Sequence, residues 1–457
     1  MEAVVAIPAL VAAVVAWRYS TQAAFLGVYL PVLLLLPDYY RWVLAGLPDP
    51  TFSQAVILPI AALFLVRHTG HWRFSATDWL MLGLAFSMSF SEYLNAGYPD
   101  AQNLMFSMLT ELVFPYMLAK GLIEPYGLRV RTARRMVFLL FVVAVVSWYE
   151  FKFGLSPFQR YLAPLFPDQG AGWVTTFRYG FARIAGPYGH AILAGMLLGV
   201  GYRLQRWLEW CGAWEPEFRW LGGLPVSKAR LITIFLLAGM LMTVARGPWV
   251  GGILAAVVVA VGRARNRKRA FLLCAAGVVF VGIPAAAWLY SYISVGRAHA
   301  TTLSQETAAY RKELIDKYVH IAVERKAWGW GVNGWPKVPG MPSIDNYYLL
   351  LALRHGFVAT GLLLLILLST TVRLFADGMR RPPAVPRGAG LGFTLAGVMV
   401  SIAVTLATVY LGTTAVPVFA LLVGWSEGYL IYGRRAEAPV TAMPAATPAF
   451  AFRRVVA

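Results

Sequence analysis

Three arginines stand where a guanidinium is costly to leave idle. Arg183 lies in Phe181-Ala-Arg-Ile-Ala-Gly-Pro-Tyr-Gly-His190, just before an apolar run, and Arg246 lies in Thr243-Val-Ala-Arg-Gly-Pro-Trp249, where two short apolar runs meet. Arg311 lies in Tyr310-Arg-Lys-Glu-Leu314, early in an amphipathic stretch. A guanidinium near hydrocarbon usually faces a cavity or an anion, and its planar fork matches phosphate oxygens two at a time. Together the three could hold a diphosphate. Each also has a plainer reading: a juxtamembrane arginine snorkels to headgroups, and Arg311 could be solvated or salt-bridged on a polar helix face. Arg183 and Arg246 are distinguished by sharing tight Gly/Pro turns at one membrane face.

A second group follows in Pro342-Ser-Ile-Asp-Asn-Tyr-Tyr-Leu349 and Leu353-Arg-His-Gly356. Asp345 could take a proton from a hydroxyl, and Asn346 offers both a donor and an acceptor. The competing reading is a helix cap, because Ser343, Asp345 or Asn346 would each cap the helix that follows. His355 could reach Asp345 only through a bend, so a buried or interfacial histidine is the better description. Glu111, inside an apolar run, is either an inward-facing functional group or a helix-packing hydrogen bonder.

These residues need a scaffold, and the composition says which kind. Of 457 residues, 59% are apolar and 13% charged, half the charge of an ordinary soluble chain; the mean hydropathy is +0.62. That excludes a water-soluble fold. Apolar runs occur at 21–36, 51–66, 76–91, 104–119 and 136–151, and again at 187–202, 231–245, 248–261, 270–292, 347–372, 391–411 and 416–432. At about 20 residues per crossing, the expectation is an all-α polytopic membrane protein of about twelve transmembrane helices (11–13). The run 3–17 is short for a crossing. It lacks the basic leader of a signal peptide and is read as part of the mature chain, as a thirteenth span or an interfacial helix.

Alternating the loops places 26 of the 40 basic residues on one side, which the positive-inside rule makes cytoplasmic. The formal net charge of +19 is therefore mostly a topology signal, and a nucleic-acid partner loses its support. The long loops 152–186 and 293–343 then face the other side, the periplasm in a Gram-negative cell. Within the larger loop, 302–327 reads as an amphipathic helix and the Gly/Trp/Pro-rich run 328–341 as a lid or cleft wall. The resulting division is 1–151, 152–292, 293–343 and 344–436, with a disordered cytoplasmic tail at 437–457. Cys211 and Cys274 fit no disulfide, zinc or redox pattern, and no phosphate loop, dinucleotide fingerprint or metal-binding helix appears. From the residues alone, a transporter and an enzyme both remain open.

At the same residues the chain resembles the O-antigen ligase and polymerase superfamily, bacterial membrane glycosyltransferases. Arg183-Ile-Ala-Gly-Pro-Tyr-Gly-His-Ala-Ile-Leu-Ala-Gly195 is similar to that family's first Arg-Gly motif, and Ala245-Arg-Gly-Pro248 to its Ser-Arg-Gly motif. Arg311 with Glu313, Gly329-Trp-Gly-Val332, and Asp345-Asn-Tyr-Tyr-Leu-Leu350 with Gly356 and Gly361 resemble its long periplasmic loop and the helix after it. The resemblance implies inverting transfer of a glycan from undecaprenyl pyrophosphate to an acceptor hydroxyl at the periplasmic face of the inner membrane, with no metal and no cofactor. Asp345, Arg183 and Arg246 would be catalytic; Arg311, Asn346, His190, Tyr188 and Trp330 would bind substrate. The partners implied are the lipid-linked glycan donor, a lipid or polysaccharide acceptor, and membrane lipid. One departure stands out: ligases of the family carry His-Asn where this chain has Asp345-Asn346, which is closer to exopolysaccharide-associated members. A repeat polymerase and a nonenzymatic flippase or exporter of lipid-linked glycan are the alternatives.

Overall fold

The computed structural model describes residues 2–433 apart from 45, 171–173, 216–226, 342, 382–387 and 413. The tail at 437–457, read as disordered, lies outside the described residues. Each apolar run read from the sequence overlaps helix, although 187–190, 243–245 and 407–411 fall in turns or irregular chain. Five helices are long and apolar enough by themselves to cross a membrane: Arg129–Phe153, Arg246–Arg263, Arg267–Ile293, Tyr347–Arg380 and Ala415–Tyr432. Thr21–Leu35, Phe52–Arg67 and Leu391–Leu406 are shorter apolar helices, and the protein is a multi-pass membrane protein. The run at 3–17 becomes a 3₁₀ turn, Glu2–Val5, and the helix Ala6–Arg18. That helix packs on Phe52–Arg67, where Arg67 Nη1 donates to the Ala16 carbonyl at 3.2 Å. Among the described residues the sheet content is one pair of two-residue strands, Phe177–Arg178 with Phe181–Ala182.

Local chemistry sets many helix starts. Thr51 and Gln54 form a reciprocal capping box, with the Thr51 N–H donating to Gln54 Oε1 at 2.9 Å. The Thr302 hydroxyl accepts the Gln305 N–H at 3.2 Å and opens the loop helix Leu303–Glu324. Close approach then sets the packing. A Cβ on Gly251 would lie 2.8 Å from the Ser401 carbonyl, so Arg246–Arg263 and Leu391–Leu406 meet through a small-residue face, the usual means of helix association in lipid.

The arginine-rich face is held by ion pairs to buried carboxylates around the last described helix. Lys120 Nζ lies 2.6 Å from Asp78, Arg129 Nη2 lies 2.7 Å from Glu124, and Arg373 Nη1 lies 2.8 Å from Glu427. Lys120 and Asp78 are both buried, with the Lys120 ammonium 4.4 Å from the Trp72 ring centroid. Residues that the charge alternation assigned to one side do meet there: Arg73, Lys120, Arg129 and Arg373. Arg267–Ile293 is different, because no residue along it is buried. It is joined to the body near its ends, to Arg246–Arg263 and to the loop helix Leu303–Glu324.

Tyr347–Arg380 is broken at Gly356, whose φ of 77° interrupts the helix. The break leaves backbone groups without intrahelical partners, and the end of the large loop takes them. Trp330 N–H donates to the Leu353 carbonyl and Gly331 N–H to the Arg354 carbonyl, each at 2.8 Å; Phe357 N–H donates to the Lys326 carbonyl at 2.7 Å. A side chain at Gly356 would run into the Ala327 carbonyl as well as forcing an unfavourable φ. The end of Ala76–Ala96 grips the same run: Glu92 Oε2 accepts the Val332 N–H at 2.7 Å, and Asn95 Oδ1 accepts from Arg325 Nη1 at 2.7 Å. Segment 325–332 is thus a clamped wall rather than a free lid.

Two outcomes follow. Asp78→Ala leaves the Lys120 ammonium buried without its carboxylate and should cost about 3–5 kcal/mol, read as a lowered temperature of aggregation in detergent. Restoring an apolar pair with Lys120→Met in the same chain should recover most of the loss. Gly356→Ala should release the loop, read as new protease cleavage between 325 and 341 with the transmembrane core intact.

Candidate functional site

The site begins with a hairpin. Phe177–Arg178 pairs antiparallel with Phe181–Ala182 around Tyr179 and Gly180, both at positive φ, 54° and 80°. A tyrosine in that region is strained, and such strain persists where surrounding contacts over-determine it. Facing the hairpin is the turn joining Lys228–Met242 to Arg246–Arg263, where Val244 has φ 46°. The structure has a tight connection between two separate helices, with Arg246 exposed on the first residue of the second.

Side chains join hairpin to turn. Arg183 is buried; its Nε donates to the Thr243 carbonyl at 3.2 Å and its Nη1 to Thr176 Oγ1 at 3.4 Å. Arg178 Nη1 donates to the Val244 carbonyl at 3.2 Å, and Arg246 Nη2 donates to the Tyr179 hydroxyl. Below them Glu150, buried at the end of Arg129–Phe153, accepts the Ala185 and Gly186 N–H groups at 3.0 and 2.9 Å. Those two bonds fix the turn that follows Arg183.

The electrostatics bring in the large loop. Burial pushes Arg183 down to about 10; the Arg178 charge acts in the same direction and the Asp345 carboxylate opposes both. Arg311 is also lowered, first by burial, then by Arg178 and Arg246, with Asp345 again opposing. Arg311 Nε is buried and makes no hydrogen bond among the described residues. Four guanidiniums from the hairpin, the interhelix turn and the loop helix thus converge, with Asp345 acting on at least two of them. An anion carrying several oxygens would relieve their mutual repulsion and restore the depressed arginines.

Asp345 and Asn346 divide the roles that sequence reading left open. Asn346 is the cap: its Oδ1 accepts the Tyr348 and Leu349 N–H groups at 3.0 and 3.3 Å. Asp345 is therefore not spent on the helix end. His190 accepts the Ile192 N–H through Nδ1 at 3.1 Å and caps Ala191–Trp210. Tyr188 is buried with its hydroxyl donating to the Leu34 carbonyl at 3.1 Å. The Trp330 indole N–H donates to the Ile321 carbonyl at 3.0 Å, and Arg325 lies 4.2 Å from the ring centroid. These contacts place it in the core of the large loop. His355 is buried and paired through Nδ1 with Ser91 Oγ at 3.2 Å, and Glu111 accepts from Gln54 Nε2 at 2.7 Å.

Sequence reasoning missed Arg178, Tyr179 and Glu150. A signal for the first two was present: Tyr179-Gly180 between Phe177 and Phe181 is a two-residue hairpin turn between alternating residues. Glu150 carried none, since a lone acid at the end of an apolar run does not say which N–H groups it meets.

If Glu150 positions the Arg183 turn, Glu150→Ala should lower turnover about 10-fold or more at nearly unchanged expression. Glu150→Gln, which keeps one acceptor, should fall between it and the parent. Equal rates for all three would remove the positioning role.

A search of curated proteins found no match to the chain. Residues 231–365 match the Wzy_C family model, described as O-antigen ligase. The matched stretch takes in Arg246, Arg311, Trp330, Asp345 and Asn346, and leaves the hairpin with Arg178 and Arg183 outside it. Over this stretch the chain is similar to O-antigen ligases.

Proposed function

We propose that the protein is an inverting glycosyltransferase that moves a glycan from undecaprenyl pyrophosphate to an acceptor hydroxyl at the periplasmic face of the bacterial inner membrane. The observation that carries this reading is the convergence of Arg178, Arg183, Arg246 and Arg311 near Asp345. In the proposed topology about twelve helices span the membrane, the basic loops are cytoplasmic and the two long loops are outside.

The chemistry balances with these residues. Asp345 takes the proton of the acceptor hydroxyl, whose oxygen attacks the anomeric carbon opposite the diphosphate. The bond from that carbon to the diphosphate oxygen breaks, and its electron pair leaves with the diphosphate. Charge builds on the departing oxygens as the transfer proceeds, and preformed cationic donors aimed at that charge lower the barrier. The guanidiniums supply the positive charge for this step, which is why the proposal needs no metal ion. Burial of Arg183 strengthens its effect, because few water dipoles compete there.

Asp345 in place of the histidine typical of the family's ligases favours a second reading, a polymerase extending lipid-linked repeats. The two differ in the acceptor and share the steps above.

Purified protein in liposomes with a polyprenyl diphosphate-linked glycan should yield elongated lipid or a modified acceptor, resolved by gel mobility and mass. Arg246→Ala and Arg183→Ala should each lower turnover by about 10²-fold or more, the scale of a lost transition-state donor, with membrane insertion intact. Arg183→Lys, which keeps the charge but loses the fork, should recover only part of the Arg183→Ala loss. Near-normal transfer by both alanine variants would reject the assignment. Asp345→Asn should abolish transfer; a rate close to the parent's would remove the proposed base.

A further inference from the structure

A separate cavity of about 280 Å³ is bordered by four helices, Ala76–Ala96, the run 98–122, Tyr347–Arg380 and Ala415–Tyr432, and by the loop residues Arg41 and Val332. Its lining is divided in character. Arg41, Glu111, Tyr347 and Arg354 supply polar groups, while leucine and methionine side chains and Phe419 make the rest largely apolar. Arg41 is exposed, which puts an open end on the side of the large loop.

Three details set this cavity apart from a packing defect. Arg354 Nε is buried and makes no hydrogen bond among the described residues, although its side chain lies in the field of Glu92. Glu92 Oε2 meanwhile accepts the Val332 N–H. Glu111 sits on a π-helical turn, Met108–Val113, a distortion that natural helices keep mostly at functional sites. Its carboxylate accepts from Gln54 Nε2 at 2.7 Å. Finally, Tyr347 lines the cavity two residues after Asp345, which itself interacts with Arg183 and Arg311.

We propose that this cavity is a second lipid-phosphate site: Arg354 and Arg41 hold the phosphate of an amphiphile whose tail lies among the leucines and methionines. At about 30 Å³ per small group, the cavity of about 280 Å³ has room for the phosphate and roughly seven carbons, the rest of the chain reaching out of the open end. Arg354 Nε is a buried donor with no hydrogen-bond partner among the described residues, and such a donor in a mostly apolar wall is costly until an acceptor meets it. The apolar walls argue against a free sugar phosphate, which would leave them wet. The role assigned to the bound molecule rests on the proposed function: it is the lipid anchor of the acceptor, held so that its hydroxyl reaches Asp345 while the donor diphosphate occupies the arginine cluster.

The test uses the full chain in phosphatidylcholine nanodiscs and a benzophenone-bearing ten-carbon prenyl monophosphate. Light should attach the probe to peptides covering 104–112 and 350–363. Arg354→Gln should cut the yield about 10-fold, Met108→Trp should abolish it by filling the space, and Arg246→Ala should leave it unchanged. Millimolar inorganic phosphate should not compete, and the matching prenyl alcohol should label weakly. Labelling that is indifferent to both Arg354→Gln and Met108→Trp, or confined to other peptides, overturns the site. Equal labelling by the alcohol overturns phosphate recognition, and full competition by inorganic phosphate makes it a free-anion site. In the transfer assay, Arg354→Gln should raise the acceptor KM about 10-fold at constant donor KM. If the parent transfers nothing while the labelling pattern holds, the proposed function fails alone; normal transfer without labelling sinks the second site alone.

Discussion

Crowding like charges at the edge of a membrane is the constraint around which this protein is built. The like charges of Arg178, Arg183, Arg246 and Arg311 oppose one another across the cluster, and at buried Arg183 little water is left to screen them. They stay together because each tie is made elsewhere in the fold. The Thr243 and Val244 carbonyls hold Arg183 and Arg178, the Tyr179 hydroxyl holds Arg246, and Glu150 holds the turn after Arg183. The positive φ at Tyr179 and Val244 belongs to the same arrangement, since the two strained positions are where the hairpin and the interhelix turn meet.

The large loop solves a related problem. Arg311 lies on the loop helix and Asp345 just beyond the loop's end, so their approach depends on how the loop closes. Closure uses the break at Gly356, whose liberated carbonyl and N–H groups pair with 326–331 as one strand pairs with another. Backbone inside a membrane must be satisfied or it is very costly. The break in the helix and the docking of the loop are therefore one device, with Glu92 and Asn95 holding the far side.

On the arginine-rich face charge is handled in the opposite way. Lys120, Arg129 and Arg373 each meet a buried carboxylate, and Tyr116, Thr77 and Trp425 donate further hydrogen bonds to those carboxylates. Cations matched by acids lock helices together. At the loop face several cations share the field of Asp345, and an incoming anion can still improve the balance.

The sequence alone determined the helical class and the position of the apolar runs, and it carried the likeness to O-antigen ligases around Arg246, Arg311 and Asp345. These features follow from local composition and from residue types whose chemistry is the same in any surroundings. It could not separate Asp345 from Asn346 as the cap, because both can accept the same N–H groups and only the path of the chain selects one. Nor did it expose Glu150, or the tethering of Trp330 within the loop's own core. Tertiary structure decided those points, because a hydrogen bond to a residue far along the chain leaves no periodic trace in sequence. The same holds for the charge cluster: nothing local to Arg178, Arg183, Arg246 or Arg311 records that the folded chain brings them to one place.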